Sequence, residues 1–418
     1  MSPSAALRSE DRRRPKDRKQ QIAKASAEAF SELGYHAVSM EDIATRVGVT
    51  AASLYRHYAG KYELFRAAVL GLGEQLVACT AFADDADDAE PKALWDRIVD
   101  ALIDVTIKNR ASGGLYRWEG RYLHAEDQAL LNAQIQLVNR RLQRPLMQLR
   151  PGLDSAQRWT ISVAVLSTLG STTDHRAKLA TPDLRKLLAE IASRIRDAKI
   201  PPVPKSSRKV GARSKPTSAA GDYELILNTA LLLFNRHGYR ETGMDDIAAA
   251  VGLPTSSLYR FFNGKGAILA AVYRRAADRV SGDVTAILSE TVDAQDAVTR
   301  LIDAYVHRSF VSPELAYVYF AERVNVPAED RVVLHNIQRA TVEAWARQVA
   351  AARPGTSTDE ARFAVHAAFA LVVDIGRLVR YQNSEPSRQV VAGLLRVLLL
   401  AEDAAPVRRR RTGGKTTG

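Results

Sequence analysis

The sequence predicts an all-α chain built twice on one plan, and three observations carry that prediction. Apolar residues recur at helical spacing through most of the 418 positions. Strand signals, such as alternating β-branched runs and Asn-Gly hairpins, are missing. The chain also repeats itself: a shift of 204 positions aligns residues 22–69 with 226–273 without a gap, and 17 of the 48 pairs are identical. The identities include Phe30/Phe234, Gly34/Gly238, Tyr35/Tyr239, Met40/Met244, Ile43/Ile247, Gly48/Gly252 and the run Ser53-Leu54-Tyr55-Arg56 against Ser257-Leu258-Tyr259-Arg260. Such a repeat sets the architecture before any single element is read.

Each copy opens with a helix whose apolar positions fall on one face: Ile22, Ala25, Ala29, Phe30 and Leu33, or Ile226, Thr229, Leu233 and Phe234. Gly34 and Gly238 stand where a helix C-terminus favours a left-handed residue. Ser39, followed three positions later by Asp42, has the form of an N-cap with a reciprocal acid. A short helix from Met40 to Val47 is expected to bury Ile43, Ala44 and Val47. Gly48 and Val49 then turn the chain, and Thr50 can cap a further helix from Ala51 to about Tyr58. In the second copy Pro254 takes that start, where its missing amide hydrogen is harmless.

Two short helices joined by a glycine-containing turn make a helix-turn-helix, whose second helix enters the DNA major groove while the first supports it across the backbone. The charge distribution agrees. The formal net charge is +12, and residues 1–20, 199–222 and 407–418 carry +4, +5 and +5, leaving the rest near −2. These segments are rich in Pro, Ser, Gly or Thr with little to bury, a composition expected to be disordered. Flexible basic arms on a near-neutral body suit attachment to a polyanion, nucleic acid above all. The alternative for the last twelve residues is a solubility tail.

The repeated block resembles the DNA-binding head of TetR-type transcriptional regulators. The residues that carry the resemblance are Phe30-x3-Gly34-Tyr35, Met40-x2-Ile43-Ala44, Val47-Gly48-Val49, Leu54-Tyr55-x2-Tyr58 and Gly60-Lys61-x2-Leu64, with Leu258-Tyr259-x2-Phe262 and Gly264-Lys265-x2-Ile268 in the second copy. The whole chain resembles two-headed members that control lipid-import (mammalian-cell-entry) operons in actinobacteria, through the opening RRRPKDRK and the segment LYRWEGRYL. The resemblance implies seven segments: a basic arm over 1–17, a head over 18–70, a helical regulatory domain over 71–198, a basic linker over 199–221, a second head over 222–274, a second regulatory domain over 275–405 and a basic tail over 406–418.

It also implies which side chains meet DNA. Ala51, Ala52, Tyr55 and Arg56 face base edges in the first head, and Thr255, Ser256, Tyr259 and Arg260 in the second, with Ser39 and Thr50 beside the reading helix. Arg suits bidentate reading of guanine, worth about 1–3 kcal/mol of discrimination. Tyr58, Lys61 and Lys265 correspond to phosphate contacts; for Tyr58 and Phe262 the alternative is packing. The heads differ where specificity lies, since Thr50-Ala51-Ala52 becomes Pro254-Thr255-Ser256 and His57 becomes Phe261. A symmetric dimer mirrors a palindrome, so this chain is expected to bind a non-palindromic double-stranded operator.

Behind each head lie about 130 residues of helical pattern. Breaks are expected around 84–91, 111–114, 151–154 and 181–182, and near 312–313, 326–328, 354–357 and 384–387. The resemblance implies that the last two helices of each half, about 155–176 with 182–198 and about 358–381 with 387–402, pair as a four-helix bundle, making one chain a pseudo-dimer; pairing between two chains is the alternative. The linker reaches at most about 80 Å extended and roughly 25–30 Å as a coil, enough to return to a DNA face. The middle helices are expected to enclose a pocket for a small apolar, lipid- or steroid-like effector that releases a repressor. Its candidate lining is Trp95, Tyr116, Trp118 and Tyr122, then Tyr305, Phe310, Tyr317 and Phe320, although helical spacing of aromatics more often marks plain core.

Other classes fit poorly. Gly60-Lys61 and Gly264-Lys265 lack the upstream glycine and following Ser or Thr of a phosphate-binding loop, and no His-Glu-x-x-His or Gly-x-Ser-x-Gly occurs. An enzyme is therefore not expected, nor a cofactor or metal. Cys79 stands alone, excluding an internal disulfide and cysteine-built metal sites. No apolar run approaches the roughly 18–20 residues of a membrane span, and no secretory signal is expected, so the reading is cytoplasmic. A non-specific architectural DNA protein is the remaining alternative.

Overall fold

The computed structural model describes residues 15–86, 88–203 and 221–402. Most of the expected basic arm and linker, and the whole of the expected tail, lie outside the described residues. The first repeat runs α1 (Pro15–Leu33), α2 (Met40–Val47), α3 (Ala51–Tyr55), α4 (Lys61–Cys79), α5 (Pro91–Lys108), α6 (Gly114–Trp118), α7 (Ala125–Leu149), α8 (Ser155–Ser171) and α9 (Thr181–Asp197). The second runs α10 (Gly221–His237), α11 (Met244–Val251), α12 (Thr255–Tyr259), α13 (Lys265–Glu290), α14 (Ala294–Val311), α15 (Pro313–Ala321), α16 (Ala328–Ala352), α17 (Thr358–Leu378) and α18 (Glu385–Leu400). No strand occurs among the described residues, and none of the described helices is long and apolar enough to cross a membrane.

Each head is a small core of its own. Phe30 packs edge-on against Phe65 at 5.3 Å, with Ile22, Ile43, Leu54 and Leu64 closing round them. Phe234, Ile226, Ile247, Leu258, Ile268 and Leu269 repeat the arrangement in the second head. The third helix is shorter than expected. It ends at Tyr55, because the amides of both His57 and Tyr58 turn back onto the carbonyl of Leu54. Val47 remains half-buried, and Leu33 lies on the exposed side of α1.

The described chain divides into two compact units, Met1–Pro145 with Gly170–Arg176, and Leu146–Leu169 with Ala177–Gly418. This division does not follow the repeats: α9 and most of α8 come from the first repeat but cluster with the second. In that second unit α9 packs on α18, and α17 packs on both α16 and α18. Leu184, Leu187, Leu188, Ile191 and Ile195 give α9 its buried stripe, and α18 supplies Val390, Val391, Leu394, Leu395, Leu398 and Leu399. The spacing of three and four residues on each helix is that of a bundle seam.

Two of these helices stop before their expected ends. α8 ends at Ser171, where the Thr173 amide and hydroxyl both turn back onto the Gly170 carbonyl at 3.1 and 2.8 Å. α17 ends at Leu378 because Arg380 and Tyr381 adopt φ of 53° and 44°. The Tyr381 ring then lies over Gly376, where a Cβ would come within 2.3 Å of it, so only glycine allows this turn.

Candidate nucleic-acid interface

The reading helices are held by local hydrogen bonds that the sequence dictates. The Asp42 carboxylate accepts from the Ser39 amide at 2.8 Å and from its hydroxyl at 2.7 Å, while Ser39 Oγ accepts from the Asp42 amide at 3.1 Å. Those bonds hold the Asp42 carboxyl below its ordinary range. Gly48 then turns the chain at φ 70°, and Thr50 Oγ1 accepts from the Ser53 amide at 3.3 Å. Leu54 is fully buried and pins the short α3, which leaves Ala52, Tyr55 and Arg56 outward, with Ala51 half-buried.

The second head reaches the same presentation by different bonds. Gly243 replaces Ser39 and offers only its amide, which donates to Asp246 at 2.7 Å. Pro254 sits at the start of α12 as its N-cap, in the place Thr50 holds in the first head. The stabilisation lost with Thr50 is supplied by Thr255, whose hydroxyl donates to Asp245 of α11 at 2.7 Å. Leu258 is fully buried, while Ser256, Tyr259 and Arg260 face outward. Tyr55 and Tyr259 are 54% and 55% exposed; core aromatics at those positions would be covered. Arg260 Nη2 donates to Ser257 Oγ at 3.3 Å, which presets its direction.

Around α3 and α12 the residues expected to contact the DNA backbone have partners within the protein. Tyr58 is buried, with the Lys19 ammonium 5.5 Å above its ring, so the charge at this rim comes from Lys19. Phe262, its counterpart, is buried under Tyr223, stacked at 5.2 Å, and the exposed Phe261 lies beside the pair. Lys61 Nζ donates to the His36 carbonyl at 3.1 Å and lies 4.8 Å from the Tyr35 ring. Lys265 Nζ donates to the carbonyls of Tyr239, Arg240 and Thr242 at 2.9, 3.0 and 3.0 Å and lies 4.7 Å from the Tyr239 ring. Burial lowers the Lys265 pKa. All three of its hydrogens are engaged, so Lys265 clamps the α10–α11 loop; a phosphate bond would require releasing a carbonyl.

Three carboxylates that join head to body were not foreseen. The Tyr35 amide donates to buried Glu119 at 2.9 Å, and the Tyr239 amide to buried Glu322 at 3.3 Å. Asp127 of α7 accepts from the Tyr62 hydroxyl at 2.7 Å and from Arg66 Nε at 2.6 Å. The signal was present, since Tyr116-x2-Glu119 recurs 203 positions later as Tyr319-x2-Glu322.

The aromatic residues expected to line a pocket take several places. Trp95 and Phe310 are fully buried. The Trp118 indole donates to Asp174 at 2.7 Å, and Arg117 lies 3.8 Å from the same carboxylate, so this interior of the first unit is polar. Tyr116 and Tyr122 pack on the first head, Tyr122 with its ring 5.9 Å from Tyr35 and 4.7 Å from His36. They are joints between head and body. Phe320 lies edge-on to Tyr319 at 5.4 Å, and Tyr317 lies on α15 with its side chain outside what is described. Tyr305 stacks on Phe369 at 4.6 Å and meets Trp345 edge-on at 6.0 Å. Burial pushes the Tyr305 phenol up, and the buried Trp345 Nε1 finds no acceptor among the described residues.

Comparison with known proteins places both heads. The family model described as bacterial regulatory proteins, tetR family, matches residues 22–68 and again 226–272. The chain is 40% identical over 67 residues to the HTH-type transcriptional activator FasR of Mycolicibacterium smegmatis, a match covering 16% of this chain and 31% of that protein. It is 26% identical over 131 residues to the HTH-type transcriptional repressor KstR2 of Rhodococcus jostii, covering 31% and 59%. Each match thus spans less than two thirds of the relative. Among solved structures, the transcriptional regulator FadR from Bacillus subtilis in complex with stearoyl-CoA is 16% identical, covering 42% of this chain and 97% of that one, at a TM-score of 0.37.

Proposed function

We propose that this chain, whose two heads are tetR-type DNA-binding units, is a transcriptional regulator carrying both reading heads of a dimer in one polypeptide. The observation that carries the reading is the paired outward display of Tyr55-Arg56 and Tyr259-Arg260, each on a short helix pinned by a fully buried leucine. Arg56 and Arg260 read base edges; Ala51, Ala52 and Ser256 allow close approach; Thr50, Thr255 and Ser39 set the helices; Lys19 and Lys61 supply charge to the phosphates. The two faces differ in Thr50/Pro254, Ala51/Thr255, Ala52/Ser256 and His57/Phe261, which supports a non-palindromic operator.

The packing of α9 on α18 supports a pseudo-dimer formed within one chain. An apolar, lipid- or steroid-like effector is received beside Tyr305, Trp345 and Phe369, where the Trp345 N–H offers one directional bond, and it releases the repressor. The hydrogen bonds that the Tyr35 and Tyr239 amides donate to Glu119 and Glu322 give a rearranged body a direct hold on each head, so an effector favouring one arrangement shifts the DNA-competent population. A lipid-import regulon follows from the resemblance to two-headed regulators.

Selection from random DNA tests the reading. It returns two unlike half-sites, with a specificity ratio of about 10³ or more over random sequence at fixed salt. A perfect inverted repeat would sink the two-reader model, and equal affinity for all sequences would point to an architectural protein.

A further inference from the structure

The rim of the reading helix carries different chemistry in the two heads. In the first, His57 and Tyr58 follow the Tyr55-Arg56 pair, and Lys19 of α1 holds its ammonium over the Tyr58 ring. In the second, the corresponding residues are Phe261, Phe262 and Tyr223, so a histidine and a lysine have both given way to apolar rings. His57 is half-buried, whereas Phe261 is 42% exposed and Tyr223 45% exposed. The polar residue is the more covered and the apolar one the more open, the reverse of what transfer from water favours.

Phe261 is also held in place. Its amide donates to the Leu258 carbonyl at 3.0 Å in the turn that ends α12, and the Phe262 amide donates to the same oxygen at 2.9 Å. The Phe262 ring lies 6.5 Å from that of Phe261, and the Tyr223 ring meets Phe261 edge-on at 6.4 Å while stacking on Phe262 at 5.2 Å. These are the spacings of interacting rings. An exposed phenyl braced by two further aromatics differs from an apolar residue scattered singly over a surface, which calls for no partner.

The face that Phe261 borders indicates what covers it. Phe261 directly follows Arg260, so its Cα stands about 3.8 Å from that of a residue on the DNA-reading face, close to the spacing of about 3.4 Å between successive bases. A phenyl ring offers neither a donor nor a charge to a phosphate. In the major groove the apolar group on offer is the C5-methyl of thymine, which Phe can cover.

We propose that Phe261 is a specificity residue of the second head, packing its ring against the C5-methyl of a thymine within about two base pairs of the position that Arg260 sets. This rests on the reading of α12 as a base-reading helix. The first head has His57 at the corresponding place and lacks the contact, so the two heads differ in apolar as well as polar readout.

The test uses the full chain and the operator that selection from random DNA returns. Arg260→Ala locates the base pair that Arg260 sets. Each thymine within about two base pairs of it is then replaced by uracil, which removes the methyl and keeps the pairing edge. In the parent, one such replacement weakens binding about fourfold, the worth of one buried methyl. In Phe261→His, which installs the residue the first head folds with, the same replacement changes affinity by less than about 1.5-fold, the signature of a coupled pair. Phe261→Leu keeps an apolar side chain and a loss of about twofold, and uracil in the other half-site acts alike on all three proteins. A Phe261→His chain that binds both operators more weakly by one common factor would assign the ring to packing alone and overturn the proposal, as would a half-site with no thymine in that range. Failure to select any sequence removes the base-reading helix itself, so the two failures are distinct.

Discussion

Replacing Lys265 by Met separates two roles that a lysine beside a DNA-reading helix can play. In this structure its ammonium holds the carbonyls of Tyr239, Arg240 and Thr242 within 3.0 Å. A net charge-assisted hydrogen bond is worth roughly 1.5–3 kcal/mol when well shielded. Lys265 is only half-buried, so water reaches the vacated carbonyls, and about 1 kcal/mol for each bond is the better figure. The ring contact with Tyr239 adds about 0.5–1 kcal/mol. The sum is about 3–4 kcal/mol, or a melting temperature roughly 6–15 °C lower for a unit of this size. Lys265→Arg does not restore it, because a planar fork cannot converge on three carbonyls as a point charge does. DNA affinity measured across salt concentrations supplies the contrast. A lysine bonded to phosphate contributes about 0.9 to the slope of log K against log salt, whereas a loop clamp leaves the slope unchanged. An unaltered melting temperature with a slope reduced by about 0.9 would refute the clamp and restore Lys265 as a backbone contact.

Three further outcomes follow from the geometry. Arg56→Ala and Arg260→Ala each weaken operator binding by about 1–3 kcal/mol and relax sequence preference at different positions, read by competition with single-base operator variants; loss of preference from only one would make the other head an anchor. The Asp127 carboxyl is held below its ordinary range by the Tyr62 hydroxyl first and Arg66 next. Its stabilisation is therefore complete above the unfolded value near 3.9 and fades as pH falls through the depressed folded value. Melting temperature against pH shows that extra acid lability in the parent, with Asp127→Asn less stable at neutral pH and flatter below pH ~4. Burial pushes the Cys79 thiol up to about 11, so alkylation at pH 8 is much slower in the native chain than in denaturant, and equal rates would contradict its half-buried place on α4.

The parts legible in the sequence are those fixed by near neighbours. The Ser39–Asp42 cap, the left-handed Gly48, the buried Leu54 and the outward Tyr55 depend on contacts a few residues apart. The last two helices of each half fall within a few residues of their expected limits, apart from the tail of α8. What escaped depends on partners far along the chain. Nothing local to Trp118 shows that its indole bonds Asp174, 56 positions away, nor that Tyr122 packs on Tyr35 and His36. Lys265 reads as a surface cation until the loop carbonyls at 239, 240 and 242 converge on it. The division into compact units was not legible for the same reason: packing decides which helices share a core, and α9 clusters with the second repeat. Trp345 and Phe369, the neighbours of Tyr305, were missed because nothing in their spacing sets them apart from core.

The two heads are alike in what they present and unlike in the charge they carry. By sequence, residues 18–70 carry a net charge of +2 and residues 222–274 a net charge of zero. The cation above Tyr58 becomes a stacked tyrosine above Phe262, and the lysine opening α13 is committed to its own loop. As a separate protein the second head would have little of the sequence-independent attraction that brings a reader to its site. Joined to the first head it has no such need. Covalent joining would raise the effective concentration of the second head once the first is bound, so selection on its surface could act on discrimination rather than affinity. Covalent duplication thus explains why Phe261 and Tyr223 remain exposed apolar residues beside a reading helix: in a symmetric dimer, the same change would have removed charge from both heads at once.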